Sequence, residues 1–300
     1  MDAADHPSWV TARDDLVDDL SASHVDPALD TMIALDTDGT VLAYGQVTLG
    51  PGQDTRVQSY LFGGVHPAHR GKGIGRELLA WQRARSEQQL ASSDKTLPGW
   101  SVLYLEEGNA AARALAERHG MSVARYFTQM ERDLSQPIPE LAVPESVRIV
   151  PFTRELSELA RAARNDSFRD HWGSQSTNRE RWEQFAFGAQ FRDDLSWVAV
   201  TGGTETQRVV AFGLTTINED DWEAQGKRSG YIALIGVVRD WRGRRLAPAV
   251  LARVLRSQRE AGLEVSILDV DSESPTGAHT LYERMGFVPL HREVALVAEY

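Results

Sequence analysis

Two stretches of the chain repeat one order of apolar and polar positions. An apolar run (Tyr60 to Phe62; Tyr231 to Ile235) leads into a glycine- and arginine-rich turn, and a helical pattern follows. In the first stretch Ile74, Leu78, Leu79 and Trp81 recur at helical spacing. In the second, Leu246, Val250, Leu251, Val254 and Leu255 do so. Each helix is followed by a predicted strand (Val102 to Leu105; Val265 to Val270) and a second helix, ending near Gly120 in one stretch and Gly286 in the other. Both glycines stand where a helix C-cap takes a left-handed residue. Arg70 to Arg242 is a step of 172 residues and Gly120 to Gly286 a step of 166, so the first copy carries about six extra residues, expected in Ser92 to Gly99. A repeat of this length predicts two domains of one kind.

Between the copies, Leu134 to Ser146 holds Pro137, Pro139 and Pro144, which suits an extended linker. The expected organisation is a first domain over 1–134, a linker over 135–146 and a second domain over 147–300. Arg148 to Phe152 reads as the first strand of copy two. Copy one has no clear equivalent, starts with a helical segment over Trp9 to Leu20, and reads as truncated at its start.

Length and composition agree with this picture. A chain of 300 residues exceeds what one compact core serves, and 42% hydrophobic residues exclude global disorder. The net charge of −11 argues against nucleic acid or an anionic membrane as partner. There is no cysteine, so an acyl-cysteine mechanism and thiolate metal sites drop out. Met1 to Val10 is acidic and lacks the apolar stretch of a signal peptide, and no window is apolar enough to span a bilayer. A cytoplasmic location is expected.

The turns carry the candidate chemistry. Arg70-Gly71-Lys72-Gly73-Ile74-Gly75 and Arg242-Gly243-Arg244-Arg245-Leu246-Ala247 each run from a strand into a helix N-terminus. Backbone N–H groups there lack intrahelical partners and, with the helix dipole, make an anion site. Glycine lets a pyrophosphate approach the backbone closely. The glycine spacing is not that of a dinucleotide fold, and no Walker Gly-Lys-Ser/Thr occurs.

The Arg-x-x-Gly-x-Gly/Ala element, followed by a strand, a helix and Leu281-Tyr282-Glu283-Arg284-Met285-Gly286-Phe287, resembles the GCN5-related N-acetyltransferase (GNAT) superfamily. The doubled arrangement, with His171-Trp172-Gly173 and Leu268-Asp269-Val270-Asp271, is similar to its tandem actinobacterial type, which includes mycothiol synthase. The resemblance implies an α/β (α+β) fold of two tandem domains, each a mixed, mostly antiparallel sheet flanked by helices. It implies acetyl-CoA as co-substrate, with the pyrophosphate at the turns and the pantetheine along the preceding strand. The contacts so implied are Val237, Val238, Arg242, Gly243, Arg244, Arg245, Leu246, Ala247 and Ser274 in copy two. In copy one they are Val65, Arg70, Gly71, Lys72, Gly73, Ile74, Gly75 and Asn109.

The copies depart from the family pattern differently. Copy one has Ala116 where copy two has Tyr282, the residue the resemblance assigns to the thioester sulfur. Copy two has Arg245 in place of the second glycine, and Ser274 where the family commonly has asparagine. Copy two is therefore the expected catalyst and copy one a binding or structural domain. The expected reaction moves an acetyl group to a primary amine of a small molecule or peptide. A lysine-type amine has a pKa near 10.4, so its free base costs about 4–5 kcal/mol at pH 7 unless the site supplies a base. His171, Trp172 and Glu219 are candidates for the acceptor pocket. Asp269 and Asp271 suggest a carboxylate dyad, but alternate residues of a strand share a face, and the resemblance makes them ordinary strand-end residues. No metal is expected, because the histidines lack ligand spacing. The alternative is a non-catalytic coenzyme A-binding sensor or scaffold.

Overall fold

The computed structural model describes residues 2–6, 8–203, 206–274 and 277–300. Two compact units emerge: residues 1–127 with 291–300 form unit 1, and residues 128–290 form unit 2. Unit 1 contains α1 (Asp2–Asp5), α2 (Arg13–Ser21), α3 (Pro27–Asp30), β1 (Thr31–Leu35), β2 (Val41–Leu49), β3 (Val57–Val65), α4 (Ile74–Ala91), β4 (Gly99–Glu106), α5 (Ala110–Arg118) and the start of β5 (Ser122–Asp133). Unit 2 continues with β6 (Val147–Pro151), α6 (Ser157–Ser167), α7 (Arg179–Ala186), β7 (Phe191–Thr201), β8 (Arg208–Thr216), α8 (Asp220–Gln225), β9 (Ser229–Val237), α9 (Leu246–Glu260), β10 (Val265–Asp271) and α10 (Ala278–Arg284), and β11 (Val288–Glu299) starts within it. No helix of the described residues is long and apolar enough to cross a membrane.

Both units repeat one sheet plan. In unit 1, β1, β2 and β3 pair antiparallel and β3 pairs parallel with β4. In unit 2, β6 to β9 pair antiparallel in order and β9 pairs parallel with β10. Each parallel pair is short. β3 and β4 pair only from Val57↔Gly99 to Tyr60↔Val102, and β9 and β10 only from Ser229↔Val265 to Tyr231↔Ile267. Beyond those residues the strands part, leaving a wedge that ends at the glycine- and arginine-rich turn.

The unit boundaries differ from those read off the prolines, for two reasons. Residues Glu293 to Glu299 of β11 pair antiparallel with β4, and Tyr300 exchanges backbone hydrogen bonds with Gly99, which ties the last residues to unit 1. The proline stretch carries no helix or strand over 137–144, and it lies on unit 2. Ile138 and Leu141 pack against that unit's core, and the carbonyls of Pro137 and Pro139 accept from Arg132 (2.8 Å) and Arg256 (2.7 Å).

The extra length of copy one is shared rather than confined to Ser92 to Gly99: α4 has 18 residues against 15 in α9, and the loop 92–98 outruns 261–264. Helix α9 is apolar on its buried face, where Val250, Leu251, Val254 and Leu255 are fully excluded from water. Helix α4 instead buries Gln82, Ser86 and Gln89. Each makes a hydrogen bond that offsets its burial: Gln82 Nε2 donates to Phe62 O (2.6 Å), Gln89 Nε2 to Asp30 Oδ1 (2.8 Å), and the Ser86 and Ser101 hydroxyls lie 2.5 Å apart. At the other end of the chain, α2 starts at Arg13 rather than Trp9, with Asp14 and Asp15 in its first turn, where the dipole favours them.

The residue before α4 is Gly73, at φ +88°, and the residue before α9 is Arg245, at φ +59°. Arg245 is the one non-glycine residue with positive φ among those described. A left-handed side chain costs roughly 1–2 kcal/mol, part of which glycine forfeits through unfolded-state entropy. Arg245→Gly is therefore expected to stabilise the protein by about 1 kcal/mol, read as a higher midpoint in reversible urea unfolding.

Candidate functional site

The turns form in both units as the spacing implies. Among the described residues, the N–H groups of Gly71, Lys72 and Gly73, and of Gly243, Arg244 and Arg245, donate to no backbone carbonyl. Each turn therefore presents a row of free donors at a helix N-terminus, the arrangement an anion requires.

The arginine that opens each turn is held by an aspartate. In unit 2, Arg242 pairs with Asp170 Oδ2 at 3.2 Å and donates to Ser167 O at 2.9 Å. Arg239 also pairs with Asp170, and its N–H donates to Asp166 Oδ2 at 2.9 Å. The end of α6 and the residues after it thus clamp the turn. In unit 1, Arg70 pairs with Asp5 at 2.8 Å, and Asn109 Nδ2 donates to the other Asp5 oxygen at 3.1 Å. Asp5 and Asp170 lie 65 and 72 residues from their partners, and no local signal marks them.

Unit 1 holds an open cleft of about 820 Å³ along this wedge. Val65, Arg70, Gly71, Gly73, Gly75 and Asn109 line it. Asn109 also caps α5, its Oδ1 accepting from Ala112 N–H at 3.2 Å. Lys72 and Ile74 belong to the same turn, with Ile74 as the first residue of α4. Ala116 is fully buried.

In unit 2, Gly277 stands at the N-cap of α10, and Ser274 lies in the loop before it, its N–H donating to Asp271 O at 3.0 Å. Val237 ends β9. The N–H of Val238 donates to Val210 O (3.0 Å), and its carbonyl accepts from Trp241 (3.0 Å), so both backbone groups of Val238 are engaged within the protein. Arg244 lies over the Trp241 ring at 4.4 Å. Leu246 is buried in the core and Ala247 half-buried beside it.

One feature separates the two wedges. Strands β2 and β3 keep one register from Ala43↔Val65 to Leu49↔Ser59. Between β8 and β9 the register shifts: Leu214 faces Leu234, Thr215 faces Ile232, and Ala233 is an extra residue. Such a bulge takes its residue out of the ladder and re-aims the strand. It lies two residues beyond Tyr231, where β9 leaves β10. The hydrophobic run over Tyr231 to Ile235 carries no mark of it.

Tyr282 is buried on α10, its ring edge-on to Phe287 with centroids 5.9 Å apart. Its hydroxyl makes no hydrogen bond among the described residues. Burial pushes the phenol above its ordinary pKa, so it stays protonated at neutral pH. His171 packs against Phe168 with the two rings tilted at 38° and their centroids 4.5 Å apart. Burial first, then the Arg242 charge, hold its imidazole below the usual histidine value, against the opposing pull of Asp271 and Asp170. His171 therefore stands between the turn and the end of β10, with Trp172 half-buried beside it. Glu219 is exposed at the start of α8, within reach of the charge of Arg192.

The Acetyltransferase (GNAT) family model matches residues 157–287, and an Acetyltransferase (GNAT) domain model matches residues 28–121. The mycothiol acetyltransferase of Streptomyces coelicolor is 29% identical over 228 residues, 75% of this chain and 66% of its own length. That of Thermobispora bispora is 33% identical over 229 residues, 74% of this chain and 70% of its own. The crystal structure of a GCN5-related N-acetyltransferase from Sphaerobacter thermophilus matches with a TM-score of 0.71 at 26% identity, covering 96% of this chain and 86% of that one. The chain therefore belongs to the GNAT family of N-acetyltransferases, as a tandem of two such domains.

Proposed function

We propose that unit 2 moves an acetyl group from acetyl-CoA to a primary amine, by direct attack of the amine on the thioester. The observation that carries this reading is the bulge at Ala233, near the apex of the unit 2 wedge and without counterpart in β3. An N–H released from the ladder there suits a developing oxyanion, which gains most from donors already in place. The turn of Arg242 to Ala247 would hold the pyrophosphate, with Arg245 and Arg244 adding positive charge. Tyr282 would donate its proton to the departing thiolate, whose ordinary pKa near 8.5 makes it a fair leaving group without much help. His171 and Trp172 would border the acceptor. The mycothiol acetyltransferases supply a precedent for a small amine acceptor, and the acceptor of this chain is proposed only at that level. Thiol release from acetyl-CoA, measured against alkylamines, amino sugars and peptides, tests the reading: release with none of them would overturn it.

Unit 1 supports a second, complementary role, coenzyme binding without turnover. Its cleft and uninterrupted glycine turn favour binding, while Ala116 offers no proton donor. Calorimetry with coenzyme A is expected to give two sites per chain. Gly73→Asp, which sets a carboxylate against the phosphates, is expected to leave one site and to retain amine-dependent thiol release. Two sites in this variant would contradict the assignment of unit 1.

A further inference from the structure

The amine must lose a proton before it attacks, and the family motifs in this chain name no group that takes it. The structure brings together two residues that sequence spacing separates: Tyr231 Oη donates to Asp269 Oδ2 at 2.7 Å. Tyr231 and Ile267 form the last pair of the parallel ladder, and Asp269 follows Ile267 by two residues, so both side chains leave the sheet on one face at the apex of the wedge. The opposite face belongs to α9. A Cβ on Gly230 would meet Gln258 and Leu263, and Leu268 and Val270, the neighbours of Asp269, sit in the core with Leu251 and Leu255. On the face of Asp269 the next strand residue is Asp271, whose charge is felt by His171. The Tyr231–Asp269 pair is thus on the acceptor side, two residues along β9 from the Ala233 bulge, and Asp269 is open to solvent.

We propose that Asp269, oriented by Tyr231, receives the acceptor's ammonium group and takes its proton. The inference rests on unit 2 being the transferring unit. The Tyr231 hydrogen bond orients the carboxylate through Oδ2, and an ionised carboxylate has lone pairs for several donors at once, an ammonium among them. One ammonium proton passes to Asp269 and on to solvent. The freed nitrogen lone pair forms the C–N bond, and the C–S bond breaks with its electron pair on sulfur. Of the two remaining N–H protons, one is lost from nitrogen as the amide forms, and the thiolate gains one, directly or by exchange through Tyr282. The products are the amide, the free thiol and one proton. An ammonium acceptor also suits a solvent-exposed carboxylate beside the site, so the substrate class is amines that are cationic at neutral pH. The other acidic candidates are placed differently: Glu219 is exposed just before α8, and Asp221 is buried, accepting from Asn218 at 3.0 Å.

The test compares Asp269→Asn with wild type on a matched pair of acceptors. One is the alkylamine giving the fastest thiol release. The other is its aminooxy analogue, in which an oxygen replaces the methylene beside the nitrogen, leaving a group that is neutral at neutral pH. The expected result is a loss of about a hundredfold in kcat/KM for the alkylamine, the lower end of general-base effects. The analogue should lose only a few fold, with coenzyme affinity unchanged. Asp269→Glu should restore part of the alkylamine rate, and Tyr231→Phe should raise the alkylamine KM more than it lowers kcat. Equal losses for the two acceptors would indicate a structural role, and an unchanged alkylamine rate would refute the proposal while the transferase reading stood. A wild type inert toward every amine would overturn that reading and this inference with it.

Discussion

Tyr282→Phe is expected to lower turnover by about ten- to a hundredfold and to leave coenzyme A affinity within about twofold. The phenol is buried and uncommitted, and its ring already has an edge-on aromatic partner in Phe287, so phenylalanine keeps the packing and removes only the hydroxyl. A proton given to sulfur as the thioester breaks is an interaction of the transition state, and such interactions appear in kcat rather than in affinity. The thiolate is a fair leaving group, which sets the effect at the low end. The raised pKa adds a check on stability. Below about pH 10, the ordinary phenol value, Tyr282 is neutral in both folded and unfolded chains. Above it the unfolded chain ionises first, so stability falls as pH rises, and the phenylalanine variant should lose less stability over that alkaline range. Rapid-quench measurements of the chemical step, beside calorimetry, give both kinetic numbers. Unaltered turnover with chemistry rate-limiting would make Tyr282 a packed aromatic and nothing more.

Arg245→Asp is expected to weaken coenzyme binding at unit 2 by about a hundredfold at low salt, with the loss shrinking as salt is raised. The substitution reverses a charge at the N-terminus of α9, where free N–H groups await an anion. Two charge units at several ångströms from a phosphate, at an effective dielectric between protein surface and water, amount to roughly 2–3 kcal/mol. Aspartate tolerates the left-handed backbone better than most residues, so the change should act on binding more than on folding. The stabilising Arg245→Gly variant is the control: it removes the charge without reversing it, and its affinity should fall between wild type and Arg245→Asp.

Much of the architecture was legible because its signals are local. Apolar spacing in α9, the left-handed C-terminal glycines Gly120 and Gly286, and the strand-to-turn-to-helix order all survive in the structure. In helix α4 the apolar spacing marks only the first turns, through Leu78 and Leu79, because farther on Gln82, Ser86 and Gln89 carry the buried face by hydrogen bonds that no periodicity reveals. The unit boundaries misled for a related reason. Prolines mark an extended chain but not what it lies on, and the pairing of β11 with β4 joins residues nearly two hundred positions apart. The site divides the same way. The turns and Tyr282 stand in recognisable strings, whereas Asp5, Asp170, the Ala233 bulge and the Tyr231–Asp269 bond arise from tertiary placement. Spacing pairs Asp269 with Asp271 and the resemblance makes both ordinary strand-end residues, whereas the partner Tyr231 is visible only with β9 and β10 side by side.

Amine-dependent thiol release from acetyl-CoA, run in parallel on Gly73→Asp and Arg245→Asp at subsaturating coenzyme, tests most directly the claim that unit 2 is the seat of transfer. With catalysis in unit 2, Gly73→Asp should retain most of the wild-type rate while binding one coenzyme fewer, and Arg245→Asp should lose about a hundredfold in kcat/KM for acetyl-CoA. The reverse pattern, with Arg245→Asp active and Gly73→Asp inert though folded, would contradict the account and assign the chemistry to unit 1.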